Sequence, residues 1–287
     1  MLSFPSDGKT NNVIFGNAVK NNPSENCCIF REVKRFIGKE YSEELADMAE
    51  KLGMNFEKGE NGKCIFVVPD PEDKDKDLGF TPEELVAIQV AYIKKTFSER
   101  CQSDDFSKVV ITVPSSFTKD QIDAMKFAYE LAGIKPMTII SEPSAALYEF
   151  TNLTKKNFKI AMVIDIGGGT TDICVCEVKG KKINVKPSEG DQMLGGSDFD
   201  AILQDLIIDK LEDNGYEKMY LFRKENGEVI QMKKERMKHT NKLKQEAERA
   251  KIYLSTHEEY QVDAGKILPI NEQINFDYSA INSNHHG

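Results

Sequence analysis

The stretch from Asp165 to Asp172, reading Asp-Ile-Gly-Gly-Gly-Thr-Thr-Asp, constrains the fold of this 287-residue chain most. Apolar runs at 159–166 and 172–178 flank its three glycines, which is the pattern of two strands joined by a tight turn and not of a strand feeding a helix. Glycines without side chains let backbone N–H groups approach an anion closely, and Thr170 and Thr171 add hydroxyl donors. Asp165, at a strand end, can hold a water of a hydrated Mg²⁺. No G-x-x-x-x-G-K-[ST] run is present and a strand follows the turn, so this is not a P-loop; the dinucleotide fingerprint G-x-G-x-x-G also fails beyond its second glycine. A phosphate-binding turn and a plain glycine hairpin with acidic corners both fit these residues.

The surrounding chain reads as layered α/β. Thr81, Pro82 and Glu84 form a capping box ahead of apolar Leu85, Ile88 and Tyr92 at helical spacing. VVITVP (109–114) is a strand, and a second capping box, Thr118 and Gln121, opens a helix with Ile122, Met125, Tyr129 and Ala132 on one face and Gly133 as its stop. MTII (137–140) is another strand, turning at Pro143 into a helix. After a strand near 183, Gly195-Gly196-Ser197-Asp198 precedes a helix with apolar Phe199, Ile202, Leu203, Leu206 and Ile207; Ser197 can cap it, and its free N–H groups suit a phosphate or ribose as well as an ordinary cap. A long, highly charged helix spans about 232–255 and short strands close the chain. The first eighty residues look irregular and polar, with a solvated loop at 70–77 and a polar tail at the far end. The expected division is two α/β lobes, 1–155 and 156–287, with 195–287 mostly a helical outer subdomain.

Composition removes several function classes. Lys plus Arg total 38 against 47 Asp plus Glu, a net charge of −9, which disfavours a nucleic-acid binder and an anionic-lipid surface binder alike. No apolar run approaches the roughly 18 residues that span a bilayer, and MLSFPSDGKTNN has no secretory pattern. Six cysteines without a C-x-x-C pair, and four histidines including His285 and His286, suggest free thiols in a reducing compartment, not a metal framework or disulfide scaffold. Three further features carry chemistry only in context. Glu142-Pro143 places a carboxylate at a strand-to-helix corner, Lys34-Arg35 is a basic pair able to reach a phosphate, and Glu248 and Lys251 form a simple i, i+3 helix pair.

These words, VKRFIG (33–38), VVITVPSSFTKDQ (109–121), TIISEPSAAL (138–147), VIDIGGGTTDI (163–173), GDQMLGGSDFD (190–200) and EAERAKIYLS (246–255), resemble in order and spacing the heat-shock 70-kilodalton chaperone family within the actin-like ATPase superfamily. The resemblance implies an incomplete two-lobe actin-like (ribonuclease H-like) nucleotide-binding domain holding ATP or ADP with Mg²⁺. It assigns Lys34, Glu142 and Asp165 to catalysis, the two carboxylates reaching Mg²⁺ through water. Gly167, Gly168, Gly169, Thr170 and Thr171 become a phosphate hairpin, Gly195 and Gly196 a loop near ribose and phosphates, and Glu248, Lys251 and Ser255 an adenosine cradle. Pro114 matches a proline that reports nucleotide state. J-domain co-chaperones and exchange factors are the implied protein partners, and the cytoplasm the implied compartment.

The departures are specific. No Asp-Leu-Gly-Thr-Thr-type hairpin precedes Asn11, no late glycine-rich adenosine strand follows, Ile252 replaces an adenine-stacking arginine, and Ile122 replaces another arginine. A stacked guanidinium contributes on the order of 1 kcal/mol. Weak or absent hydrolysis is therefore expected of this chain. The alternatives are a non-catalytic interaction module and, further off, a sugar-kinase-like or filament-forming relative.

Overall fold

The computed structural model describes residues 1–5, 13–21, 27–70, 76–155, 158–180, 182–186, 189–213, 233–267 and 273–277. Residues 71–75 of the expected loop and the tail with His285 and His286 lie outside them. In chain order the elements are β1 (Leu2–Pro5), β2 (Ile14–Phe15), α1 (Asn17–Asn21), β3 (Cys27–Phe30), a 3-10 turn (Val33–Arg35), α2 (Glu43–Lys51), β4 (Phe56–Lys58), β5 (Cys64–Pro69) and β6 (Asp77–Phe80). Then follow α3 (Pro82–Cys101), β7 (Val110–Val113), α4 (Lys119–Leu131), β8 (Thr138–Ser141), α5 (Glu142–Thr154), β9 (Ile160–Ile166), β10 (Thr171–Lys179), β11 (Lys182–Val185) and β12 (Glu189–Asp191). The last are α6 (Gly196–Asp213), α7 (Lys233–Leu254), β13 (Glu259–Asp263), α8 (Ala264–Ile267) and β14 (Gln273–Asp277).

Two compact units result, one of residues 1–19 and 28–195, the other of residues 20–27 and 196–287. Residue 155 lies inside the first unit, because α5 packs back onto β9, β10 and β11. Its Leu147 is buried with Cys174 and Cys176 of β10, and Ala161 and Val163 of β9 pack against the same cluster.

The main core of the first unit comes largely from the first eighty residues, contrary to their irregular and polar appearance. Phe4, Phe30, Phe36 and Phe66 are almost fully buried. Their rings meet in a chain, Phe4 to Phe30 at 5.8 Å, Phe30 to Phe66 at 5.5 Å and Phe66 to Phe36 at 5.0 Å. Three of these aromatics sit in runs too short to show periodicity, four residues in β1, four in β3 and six in β5, and Phe36 follows the Val33–Arg35 turn. The strands become legible only when sheet order β4-β5-β6 and β2-β1-β3 brings those rings together. Offset and edge-to-face ring contacts of this kind add roughly 0.5–1.5 kcal/mol each beyond area burial.

Both capping boxes form as the sequence predicts. Thr81 accepts from the Glu84 amide while Glu84 accepts from that of Thr81, and Thr118 and Gln121 do likewise. Leu85 and Met125 are buried, and Ile88, Ile122, Tyr129 and Ala132 pack against the same core. Parallel β7 and β8 end at Val113 and Ser141, which delivers Pro114 and Glu142 to one edge of this pair. In α6 the apolar face is shifted: Leu203, Ile207, Ile208 and Leu211 are buried against Leu243 and Ala247 of α7, whereas Phe199 and Ile202 are exposed. The helix begins at Gly196, so Ser197 lies in its first turn and not at its cap.

Gly38 is a point of close approach. It has φ +64°, and a Cβ there would stand 2.6 Å from the Gln121 Cα of α4. Gly38→Ala is expected to lower the melting temperature more than Thr118→Ala, whose lost cap costs about 1 kcal/mol, since the first meets both the left-handed penalty and a backbone clash. Denaturant melts of the two variants check the order.

Candidate functional site

In the first unit the site is organised by the short turn Val33–Arg35. Glu32, at φ 51°, reverses the chain just before it, so that adjacent Lys34 and Arg35 reach different elements. Lys34 Nζ meets Glu142 Oε1 at 2.5 Å, at the first residue of α5. The same ammonium lies 5.9 Å from the Phe117 ring centroid. Arg35 is buried, and its Nε donates to the Gly169 carbonyl at 2.9 Å while pairing with Glu32 Oε2 at 3.0 Å. One three-residue turn thus holds both the carboxylate corner and the glycine turn.

The glycine turn is a hairpin, as the sequence predicts. β9 and β10 pair antiparallel with Ile166 opposite Thr171, and the Gly167 N–H donates to the Thr170 carbonyl at 2.9 Å. Gly195 rests on this turn: a Cβ there would lie 2.6 Å from the Gly169 nitrogen and 2.7 Å from the Gly168 carbonyl carbon and oxygen. The Thr171 hydroxyl donates to the Leu194 carbonyl at 2.9 Å, so it ties down the 190–195 segment. At Gly168 a Cβ would meet nothing within 4 Å. The turn is therefore crowded by backbone on one side and open on the other, a cradle that fits an anion.

Asp165 sits directly opposite Asp172 across the hairpin. Asp172 is buried at 2% exposure, and its Oδ1 accepts from Ser115 Oγ at 2.9 Å, one residue beyond Pro114. Gln192 Nε2 donates to the Ser116 carbonyl at 2.9 Å, binding the same loop to the 190–195 segment. No group of three or more His, Cys, Asp or Glu side chains able to hold a metal occurs among the described residues. The carboxylates Glu142 and Asp165 fit Mg²⁺ carried on phosphate oxygens and approached through water, not a cage of protein ligands.

In the second unit, Lys251 and Ser255 lie near the end of α7. Lys251 Nζ reaches α6, 2.7 Å from Asp200 Oδ1, and donates to the Gly196 carbonyl at 2.9 Å. Burial raises the Asp200 carboxyl above its ordinary range; Lys251 opposes that shift, while the charge of Glu248 adds to it. The Ser255 hydroxyl donates to the Lys251 carbonyl at 2.9 Å. Ile252 is 62% exposed. Behind this face, Glu246 is buried at 1% exposure and accepts from Tyr260 Oη at 2.9 Å and from Arg249 Nη1 at 3.3 Å. Burial, then the Glu246 carboxylate, push the Tyr260 phenol to about 12.

Sequence reasoning about site residues did not single out Arg35, Asp172, Ser115 or Asp200 for the positions they hold. Arg35 reads as half of a solvated basic pair, and Asp172 as a turn aspartate. Nothing in the sequence signals that the partner of Lys251 is Asp200, 51 residues earlier.

This is an α/β protein whose first unit gathers organised polar residues around a glycine-turned hairpin. The model of the family described as Hsp70 protein matches residues 5–279. The chain is 34% identical over 80% of its length to the chaperone protein DnaK of Akkermansia muciniphila and covers 33% of that relative. It is 33% identical over 90% of its length to the chaperone protein dnaK of Cyanidium caldarium, and 33% identical over 82% to the chaperone protein dnaK3 of Thermosynechococcus vestitus, covering 38% and 31% of them. The chain belongs to the Hsp70 family and spans about a third of the length of these curated relatives. No helix among the described residues is long and apolar enough to cross a membrane.

Two outcomes follow from the geometry. Tyr260→Phe is expected to destabilise the second unit by about 1–3 kcal/mol near neutral pH, because a buried carboxylate loses a donor. It should also reduce the alkaline slope by this phenol's share, the raised Cys64, Cys174 and Tyr129 groups keeping theirs. A folded-state phenol that titrates near 12 instead of 10 gives stability that is complete below pH 10 and lost as pH rises toward 12. Melts across that window, wild type against variant, check both. Lys34→Ala is expected to shift the melting temperature little, since the Lys34–Glu142 pair is partly exposed at 39% and 22% and such pairs contribute about 1 kcal/mol or less.

Proposed function

We propose that this chain is an ATP-binding, chaperone-type, actin-like domain of two lobes that takes ATP or ADP with Mg²⁺. The observation that carries this reading is the backbone cradle at Gly168, backed by Gly195 and gripped from behind by Arg35. In this reading the amides of Gly167, Gly168 and Gly169 and the Thr170 hydroxyl receive phosphate oxygens. Glu142 and Asp165 accept from metal-bound waters, and Lys34, held by Glu142, orients the water that attacks the terminal phosphate. Mg²⁺, when bound, neutralises charge on the transferred phosphoryl group. Gly195 and Gly196 approach ribose and phosphates, and Glu248, Lys251 and Ser255 cradle adenosine, with Lys251 pre-set by Asp200.

Hydrolysis by the 287-residue chain alone is weak in this proposal. Its sequence contains one glycine-rich phosphate hairpin, and a missing donor to developing charge costs about 3 kcal/mol. J-domain co-chaperones and exchange factors are its protein partners, and the cytoplasm its compartment. The exposed Ile252, where a cation would stack on adenine, favours a second reading as a non-catalytic module for the same partners.

Calorimetric titration with Mg·ATP and Mg·ADP separates the readings. The first predicts binding below millimolar concentration that Gly195→Ala weakens tenfold or more, because a Cβ there displaces the turn. A cooperatively folded chain that binds neither nucleotide overturns it. Lys34→Ala is expected to retain binding and to lose whatever single-turnover hydrolysis the wild type shows.

A further inference from the structure

The glycine turn lacks the hydrogen bond that would close it. Gly167 and Thr170 flank its two central residues, and the Gly167 N–H donates to the Thr170 carbonyl at 2.9 Å. The reciprocal bond, from the Thr170 N–H to the Gly167 carbonyl, is the usual closing bond of a four-residue turn. It is absent here, and residues 168 and 169 bend without it. The N–H groups of Gly168, Gly169 and Thr170 have no hydrogen-bond partner among the described residues.

The neighbouring turn at 33–35 supplies a cause, within the same unit. Gly169 and Thr170 share one trans peptide, so the Gly169 carbonyl and the Thr170 N–H point in opposite directions. Arg35 holds that carbonyl. Its Nε carries one hydrogen, which goes to the Gly169 oxygen at 2.9 Å, and the side chain is 5% exposed, so water hardly competes. Glu32 Oε2 stands 3.0 Å from the same nitrogen and accepts no hydrogen bond, the single Nε hydrogen being already used. A buried carboxylate oxygen without a donor is uncommon. Glu32 also has φ 51° and ψ 31°, a left-handed backbone that residues other than glycine rarely adopt. Two unfavourable features at one residue are the kind of strain held at functional sites. Both side chains press on the turn itself: a Cβ at Gly169 would stand 3.1 Å from Arg35 Nε and 3.7 Å from Glu32 Oε2.

We propose that Arg35 is a positioning residue, set by Glu32, that keeps the glycine turn open. By holding the Gly169 carbonyl it turns the Thr170 N–H off the Gly167 carbonyl and leaves three successive N–H groups for a phosphate, the concave donor arrangement that anions favour. The inference rests on the phosphate reading of this turn and changes its donor set: the Gly167 N–H is already spent on Thr170, and the Thr170 N–H takes its place. Gly195 and Arg35 then have separate tasks. Gly195 fixes where the turn lies, through its approach to Gly168 and Gly169, and Arg35 fixes which way the next peptide faces. Without Arg35 that peptide is free to rotate, the Thr170 N–H closes on Gly167, and one of the three donors is lost before any ligand arrives.

The experiment is amide hydrogen exchange of the nucleotide-free 287-residue chain, followed by NMR. In the wild type the Gly167 amide is expected to be protected and the Thr170 amide to exchange freely. In Arg35→Met the Thr170 amide is expected to slow by about tenfold or more as the turn closes. Loss of a merely structural contact would speed exchange around the hairpin, the opposite direction. A wild-type Thr170 amide as protected as that of Gly167, or an Arg35→Met chain in which Thr170 does not slow, overturns the proposal. If Arg35→Met does not fold, Gly169→Ala decides by the same criterion, because its Cβ pushes the guanidinium off the carbonyl. Calorimetry then tests the phosphate: Arg35→Met is expected to bind Mg·ADP about tenfold more weakly, and equal affinity overturns the assigned role. A folded wild type that binds neither Mg·ADP nor Mg·ATP overturns the phosphate reading instead, and the exchange rates still decide whether Arg35 holds the turn open.

Discussion

The contact on which the first unit's site depends is backbone against backbone. The Gly195 Cα faces the Gly168–Gly169 peptide so closely that a methyl group would stand 2.6–2.7 Å from three of its atoms. Only glycine leaves room there, and the consequence runs outward. The turn is buttressed on the Gly195 side and from Arg35, so its backbone is held in direction from two sides. The Thr171–Leu194 and Gln192–Ser116 bonds keep Gly195 in place, and the Ser115–Asp172 bond ties the loop after β7 to the hairpin. Strand ends, the short turn at 33–35 and the hairpin are thus one hydrogen-bonded assembly.

Polar groups in the two units are stabilised by different means. The Lys34–Glu142 pair is close but partly exposed, so it adds little to folding. In the second unit Glu246 is taken out of water and Asp200 partly so; Lys251 partners Asp200, while Tyr260 and Arg249 partner Glu246. A buried carboxylate without its partner is costly. Those residues hold α7 against α6 and β13, and with it the orientation of the face that bears Glu248, Lys251 and Ser255.

How much of this was legible follows from the range of each interaction. The capping boxes at Thr81 and Thr118 lie within four residues, so they read directly, as does the hairpin, where three glycines separate two β-branched runs. The α6 stripe was half right. Helical spacing identified Leu203 and Ile207, but which way the helix rolls onto α7 left Phe199 and Ile202 outside. The aromatic core from β1, β3 and β5 was not legible, because each strand contributes a single ring and no segment shows a period. Arg35 and Asp172 looked like surface charges because their partners, the Gly169 carbonyl and the Ser115 hydroxyl, are 134 and 57 residues away.

The sequence by itself determined the local elements, the glycine hairpin and, through the order and spacing of its motifs, the family. Each of these rests on residues near one another in the chain, whose preferences for turns, caps and alternation act before any tertiary contact forms. Tertiary structure alone decided that Gly195 backs the turn, that Lys251 pairs with Asp200, and that Lys34 and Arg35 part company toward Glu142 and Gly169. Those outcomes depend on close packing between segments distant in sequence, where a few tenths of an ångström separate a contact from a clash, and no local preference carries that information.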